Sequence, residues 1–264
     1  KTLFGKAGVV PGREPVSGLI GTVPPHLTGP EERKKIPEWN EFFVDVGLPV
    51  DQVRELVRPG DAVSFAAPAV ELLAGRFASK ALDDRAGLAA LLHAARRIAS
   101  QRARLQVEVV VAATVQEEVG LRGAGPLSFR LAPGAALAVD VGFGDMPGLS
   151  RRDTIELGKG PAITAGPNIH PGVRAALLRT ANAHHIAVQT EVFPGSSGTD
   201  AWAIQVSREG VPTGVVSIPL RSMHSTGEVV DLADVEAAVS LIAHFAVELS
   251  AAEVEGWNRG TFEA

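Results

Sequence analysis

At 264 residues with 45% hydrophobic content, the chain is long enough for one large domain or two modest ones with a sizeable core. A net charge of -5, with 21% charged residues, argues against a nucleic-acid partner, which needs a basic face, and gives no polybasic membrane patch. Cysteine is absent, which excludes disulfides and thiolate zinc sites, and no apolar run approaches the ~18 residues of a membrane span. No leader is visible, so a cytoplasmic protein is the default expectation. Lys1 opens the sequence inside what reads as the middle of a domain, and an upstream segment is expected.

Residues 1–65 are rich in Gly and Pro and carry short β-like runs at Val16–Val23, Phe42–Val46 and Asp61–Phe65. Turn signals between them predict a small β-rich domain, a barrel or a sandwich. The polar stretch Thr28–Lys35 reads as an exposed loop, and Asp51–Val57 as one or two helical turns. His26 follows two prolines, where simple exposure is the plainer reading than metal ligation.

From residue 66 to 264 the rhythm changes. Arg85–Ile98 predicts a helix with Leu88, Leu91, Leu92, Ala95 and Ile98 on its inner face. Val107–Val115 is β-branched and continuously apolar, the pattern of a strand buried on both faces in a parallel sheet. Ala135–Val139 is a second buried run. Then come a helix over Val173–His185, a strand over Ala187–Phe193, a short helix over Asp200–Arg208 and a strand over Thr213–Ile218. The last long helix runs from about Leu232 to Leu249, with Asp231 as its N-cap. Alternating strands and helices predict a layered α/β domain.

Four of these segments finish in polar groups suited to a cation: Asp83-Asp84-Arg85 opens a helix, Glu117-Glu118 follows the run from 107, Asp140 follows Val139, and His224 lies past the strand from 213. In open α/β sheets, ligands bind beyond the carboxyl ends of strands. Each group also has a structural explanation. One of Asp83 and Asp84 can cap the helix, Asp140 can bind loop amides, and His224 can be an ordinary surface histidine. Together they pose an electrostatic problem, because three carboxylates and an imidazole at one sheet edge repel or stay unpaired without a cation. A dinuclear site answers it. Carboxylate and imidazole ligands suit Zn²⁺ and Co²⁺, two ions can clamp an attacking water, and a carboxylate outside the ligand set is needed for its proton.

The segments Ala81–Gly87, Thr114–Gly123, Ala138–Asp140, Gly158–Ala162, Gly166–Pro171, Ser197–Ala201 and Met223–Ser225 occur in the order found in one family. The chain resembles the tetrahedral (TET) dinuclear metallo-aminopeptidases, also described as glutamyl aminopeptidases or endoglucanases. The resemblance extends to Pro24–Leu27 and covers nearly the whole chain. It implies a zinc-peptidase-like α/β catalytic domain over 66–264. Residues 1–65 would be most of a smaller inserted, barrel-like domain used for subunit contacts. It implies two divalent ions, Zn or Co, with Asp83 bridging, Glu118 and Asp140 each on one ion and His224 completing a sphere. Glu117 would be the general base, Thr199 and Asp200 would shape the substrate pocket, and Arg85 would orient a ligand from outside the metal sphere. Short peptides would be the substrates, and a dodecamer built from dimers the assembly. The family places one more ligand, a His followed two residues later by an orienting Asp, ahead of the inserted domain. His26, His170, His184 and His185 do not occupy that place.

Two other functions compete with this expectation. A glycoside hydrolase needs two carboxylates flanking a sugar bond. Adjacent Glu117 and Glu118 are poorly placed for that, and 5% aromatic content without Tyr leaves few stacking platforms. A homologue with an incomplete site could instead serve as an assembly or regulatory subunit, and a metal count separates it from the enzyme.

Overall fold

The computed structural model describes residues 5–31 and 35–260, which form two compact units, residues 1–68 and 69–264. In the first, strands β1 (Ala7–Pro11), β2 (Pro15–Gly21) and β3 (Phe43–Asp45), helix α1 (Val50–Leu56) and strand β4 (Ser64–Phe65) follow in turn. The four strands make one antiparallel sheet in the order β3-β2-β1-β4. The barrel expected here is not closed, since β3 and β4 are edges without a shared ladder among the described residues. With only two to seven residues per strand, there is too little ladder to bring the edges round. Strand β1 was not expected from sequence, and Glu32, Arg33 and Lys34 of the polar stretch lie outside the described residues.

The second unit contains β5 (Val70–Glu71), β6 (Arg76–Ser79), α2 (Leu82–Ser100), α3 (Ala124–Leu131), β7 (Ala136–Phe143), β8 (Ala162–Ala165) and α4 (Pro171–Ala183). These are followed by β9 (Gln189–Val192), α5 (Ala201–Ile204), β10 (Thr213–Arg221), β11 (Glu228–Asp231), α6 (Leu232–Glu248) and α7 (Ala251–Asn258). Its seven strands form a mixed sheet centred on β10, which pairs in parallel with β7 and antiparallel with β8 and β11. That central position explains why Thr213 to Leu220 are all buried.

Alternation along β10 sorts the layers, because successive side chains leave opposite faces. Val216, Ile218 and Leu220 join the large core with α2, α4 and α6, whereas Val215 packs with Ala138 and Ala201 of α5. A helix–sheet–helix sandwich results. Asp231 caps α6 as the sequence predicts, its Oδ1 accepting from the Ala233 N–H at 3.0 Å. Asp234, one turn in, accepts the Gly158 and Gly160 N–H groups at 2.7 Å each, so the glycine motif at 158–160 anchors a loop onto this helix.

Two expectations for this unit need correction. Val107–Val115 belongs to no strand ladder, and Val110, Val111 and Val115 are exposed. A cleft of about 1160 Å³ is lined by residues 106–114 and by 135–140, and it keeps this run off the free edge of β7. A strand is defined by its partner, and β-branched composition cannot supply one. In α2 the buried face is Ala86, Ala90, Ala94 and Ile98, while Leu88 and Leu91 line the same cleft. Small alanines let α2 approach its neighbours closely; the leucines point where nothing packs.

Candidate metal centre

Helix α2 begins awkwardly. Ala81 takes a left-handed backbone, Asp83 and Asp84 are non-helical, and the bond between them is cis. Asp84 then acts as the cap, its Oδ1 accepting from the Gly87 N–H at 2.9 Å. A β-carbon at Gly87 would fall 2.3 Å from that carboxylate, so the glycine in Asp83–Gly87 is the residue that admits it. Asp83 is thereby freed from capping and turns toward other groups.

The ligand atoms of Asp83, Glu118 and His224 all lie within 4.8 Å of one another. His224 Nε2 is 3.1 Å from Asp83 Oδ2 and 3.8 Å from Glu118 Oε2. His224 and Gln116 have positive φ, as do Leu121 and Ser222, so the loops bearing these side chains hold conformations L-residues rarely adopt. Such outliers gather at functional sites, and here they flank one.

Sequence reasoning missed Glu228. It is 2% exposed, and its carboxylate accepts from the Asp83 N–H at 3.1 Å and the His224 N–H at 2.9 Å, tying two distant loops together. The only sequence signal was an acid opening the otherwise apolar strand Glu228-Val-Val.

The remaining acids crowd the same place. Asp140 sits within β7 rather than at its end, on the face that meets α5, and its Oδ1 accepts from the Val141 N–H. Burial, then the charges of Glu117, Asp83 and Asp200, push its carboxyl up to about 8. Burial and the Asp140 charge push Asp84 up to about 9. For Glu117, burial followed by Asp200 and Glu118 gives about 7; for Asp83, burial and Glu118 give about 6 despite the opposing pull of His224. Raised proton affinity is what such a pile of negative charge produces without a counter-ion. Oxygen and imidazole donors of this set fit a divalent cation of the zinc type.

Thr199 and Asp200 stand at the start of α5. Asp200 accepts from the Thr114 hydroxyl at 2.5 Å, and its other oxygen is buried without a partner. Thr199 is buried and bonds to Ser197 at 3.0 Å, so its hydroxyl serves the loop. Arg85 is exposed and makes no side-chain hydrogen bond or ion pair with these acids among the described residues.

Comparison with known proteins places the chain among aminopeptidases. A model of the M42 glutamyl aminopeptidase family matches residues 3–241. Lysyl aminopeptidase of Pyrococcus furiosus is 39% identical over 236 residues, spanning 88% of this chain and 67% of its own length. The TET aminopeptidase of the marine sediment archaeon Thaumarchaeota archaeon SCGC AB-539-E09 superposes with a TM-score of 0.89 at 33% identity, over 97% of this chain and 74% of that one. The TET1 peptidase of Pyrococcus horikoshii, described as assembling into a tetrahedron or a large octahedral shell, gives 0.80 at 32% identity over 94% and 73%.

Proposed function

This chain belongs to the M42 glutamyl aminopeptidase family, whose members are metallo-enzymes, and we propose that it removes N-terminal residues from short peptides at the Asp83–His224 cluster. The observation that carries this reading is the convergence of Asp83, Glu118 and His224 within 4.8 Å, beside the half-buried acids Glu117 and Asp140. Asp83 would bridge two divalent ions, Glu118 and Asp140 would each hold one, and His224 would complete a sphere. Zn²⁺ or Co²⁺ bound there supplies Lewis-acid polarisation of the scissile carbonyl and a more acidic attacking water.

The chain's own residues do the rest. Glu228 fixes the backbone of both Asp83 and His224, so the ligands are presented by two loops held at one acid. Glu117, not needed as a ligand, would take a proton from the attacking water and return it to the departing amine. Asp200, held by Thr114, contributes negative charge beside Glu117 and would meet the ammonium of a peptide N-terminus. A glycosidase reading gains nothing, because the acids are gathered on one side instead of flanking a bond. We also propose that residues 1–65 mediate assembly into a homo-oligomeric shell, a dodecamer built from dimers, as the relatives' shells suggest.

The reading is tested with short peptides before and after chelation. Release of N-terminal residues should stop on chelation and return with Zn²⁺ or Co²⁺; turnover indifferent to chelator would overturn it.

A further inference from the structure

Helices α4 and α6 carry a second histidine cluster, and neither helix contributes to the Asp83–His224 group. We propose that His184, His244 and Glu248 form a separate site for one divalent transition-metal ion, such as Zn²⁺, which clips the end of α4 to α6. Their ligand atoms all lie within 4.8 Å of one another. His244 and Glu248 are four residues apart on α6 and so share one face, the spacing at which helical side chains meet. His184 arrives from α4, and its Nε2 is hydrogen-bonded to Glu248 Oε1.

The backbone holds His184 in place. The N–H of Ile186 bonds to the Ala181 carbonyl at 2.9 Å and that of His185 to Asn182 at 3.3 Å, with His185 left-handed at φ 54°. This is a Schellman ending with histidine where glycine is usual. Within it, His184 is the cap residue and its ring is carried against α6.

The rings of His184 and His244 stack with centroids 3.6 Å apart and planes 17° from parallel. Two facing imidazoles cannot both be cations at that distance, and metal binding requires the neutral form. Burial, then the neighbouring His184, holds His244 below its usual value of 6.5, with Arg104 and Arg97 acting the same way against the pull of Glu248. Among the described residues, neither ring nitrogen of His244 has a hydrogen-bond partner, so its lone pair is uncommitted. A plain His184–Glu248 pair would leave it so; a shared ion would use it once one ring turns out of the stack, because two nearly parallel ring planes do not both contain one metal.

Two imidazole nitrogens and one carboxylate oxygen are a borderline donor set that suits Zn²⁺ and its neighbours and leaves a position for water. The Thr180 hydroxyl lies 3.5 Å from Glu248 Oε2, the oxygen that His184 does not hold. Arg97 of α2, whose charge reaches His244, is already bonded to Glu236 at 2.6 Å and Ser240 at 2.8 Å.

The test is a zinc count per chain on the whole protein after equilibration with Zn²⁺ and removal of excess, for wild type, His244→Ala and Glu248→Gln. Each variant should hold one ion fewer than wild type while peptidase activity is unchanged. Gln keeps the size and a hydrogen bond to His184, so Glu248→Gln guards against a folding defect. Copper paramagnetic resonance gives a second readout. Signals from two equatorial imidazole nitrogens should disappear in His184→Ala and in His244→Ala. Equal ion counts in all three proteins, or an unchanged copper spectrum, would overturn the proposal.

Discussion

The larger unit has two clusters of histidine and carboxylate, and their charge balance is opposite. At Asp83, four acids with raised proton affinity surround one imidazole; at α4 and α6, two imidazoles share one carboxylate and His244 is held below its ordinary value. The first cluster therefore stores protons that a cation would displace, while the second sets two imidazoles against a single carboxylate. A crowd of half-buried acids with raised proton affinity marks where the fold expects positive charge.

The largest break in this comparison comes from Glu117→Gln. It would remove the proposed proton carrier and keep the proposed ligands, so kcat should fall by about 10²–10⁴ with the metal content unchanged. A variant with wild-type kcat would remove Glu117 from the chemistry.

Glu228→Gln comes next, since an amide cannot accept from both the Asp83 and His224 N–H groups with the same strength. Loss of a buried charged acceptor costs on the order of 1–3 kcal/mol, and metal affinity at the first cluster should drop about 10–100-fold. Equilibrium dialysis reads this directly, and ion content at the α4–α6 cluster should not move.

The smallest effect is on pH dependence. In the metal-free protein the carboxyls of Glu117, Asp140 and Asp84 are raised to about 7, 8 and 9, above ordinary values of 3.8 to 4.5. A raised carboxyl contributes stability below its unfolded value and loses it as pH climbs through the folded one. Between pH 7 and 9 the folded state still holds protons that the unfolded chain has released, so the urea midpoint should fall as pH rises. His244, depressed below 6.5, is neutral across that window and leaves the slope alone. A midpoint that rises over the window would mean that these acids are not mutually strained.

Much of the first cluster was legible because its members lie in short runs whose residue types repeat a chemical purpose: Asp83-Asp84, Glu117-Glu118 and His224 each follow or open an element. Glu228 was not legible, because its partners are backbone N–H groups, one of them 145 residues away. The pairing of His184 with His244 was hidden likewise, because 59 residues, 185–243, lie between them in the chain. Apolar runs misled where packing has the final word. Leu88 and Leu91 looked like the core side of α2, yet alanines fill that side, and Val107–Val115 has strand composition without a ladder. Helix α7 went unseen because Gly256 and Asn258 weaken its pattern; its signal was the box Ser250–Glu253, which satisfies two N–H groups at once.

Anomalous scattering from crystals grown with Zn²⁺ tests the account most directly, because it locates ions without reference to activity. Peaks within ligand distance, ~2.0–2.2 Å, of the carboxylate oxygens of Asp83, Glu118 and Asp140 and of the His224 ring are the predicted result. Crystals with full zinc in solution and no peak among those four side chains would contradict it.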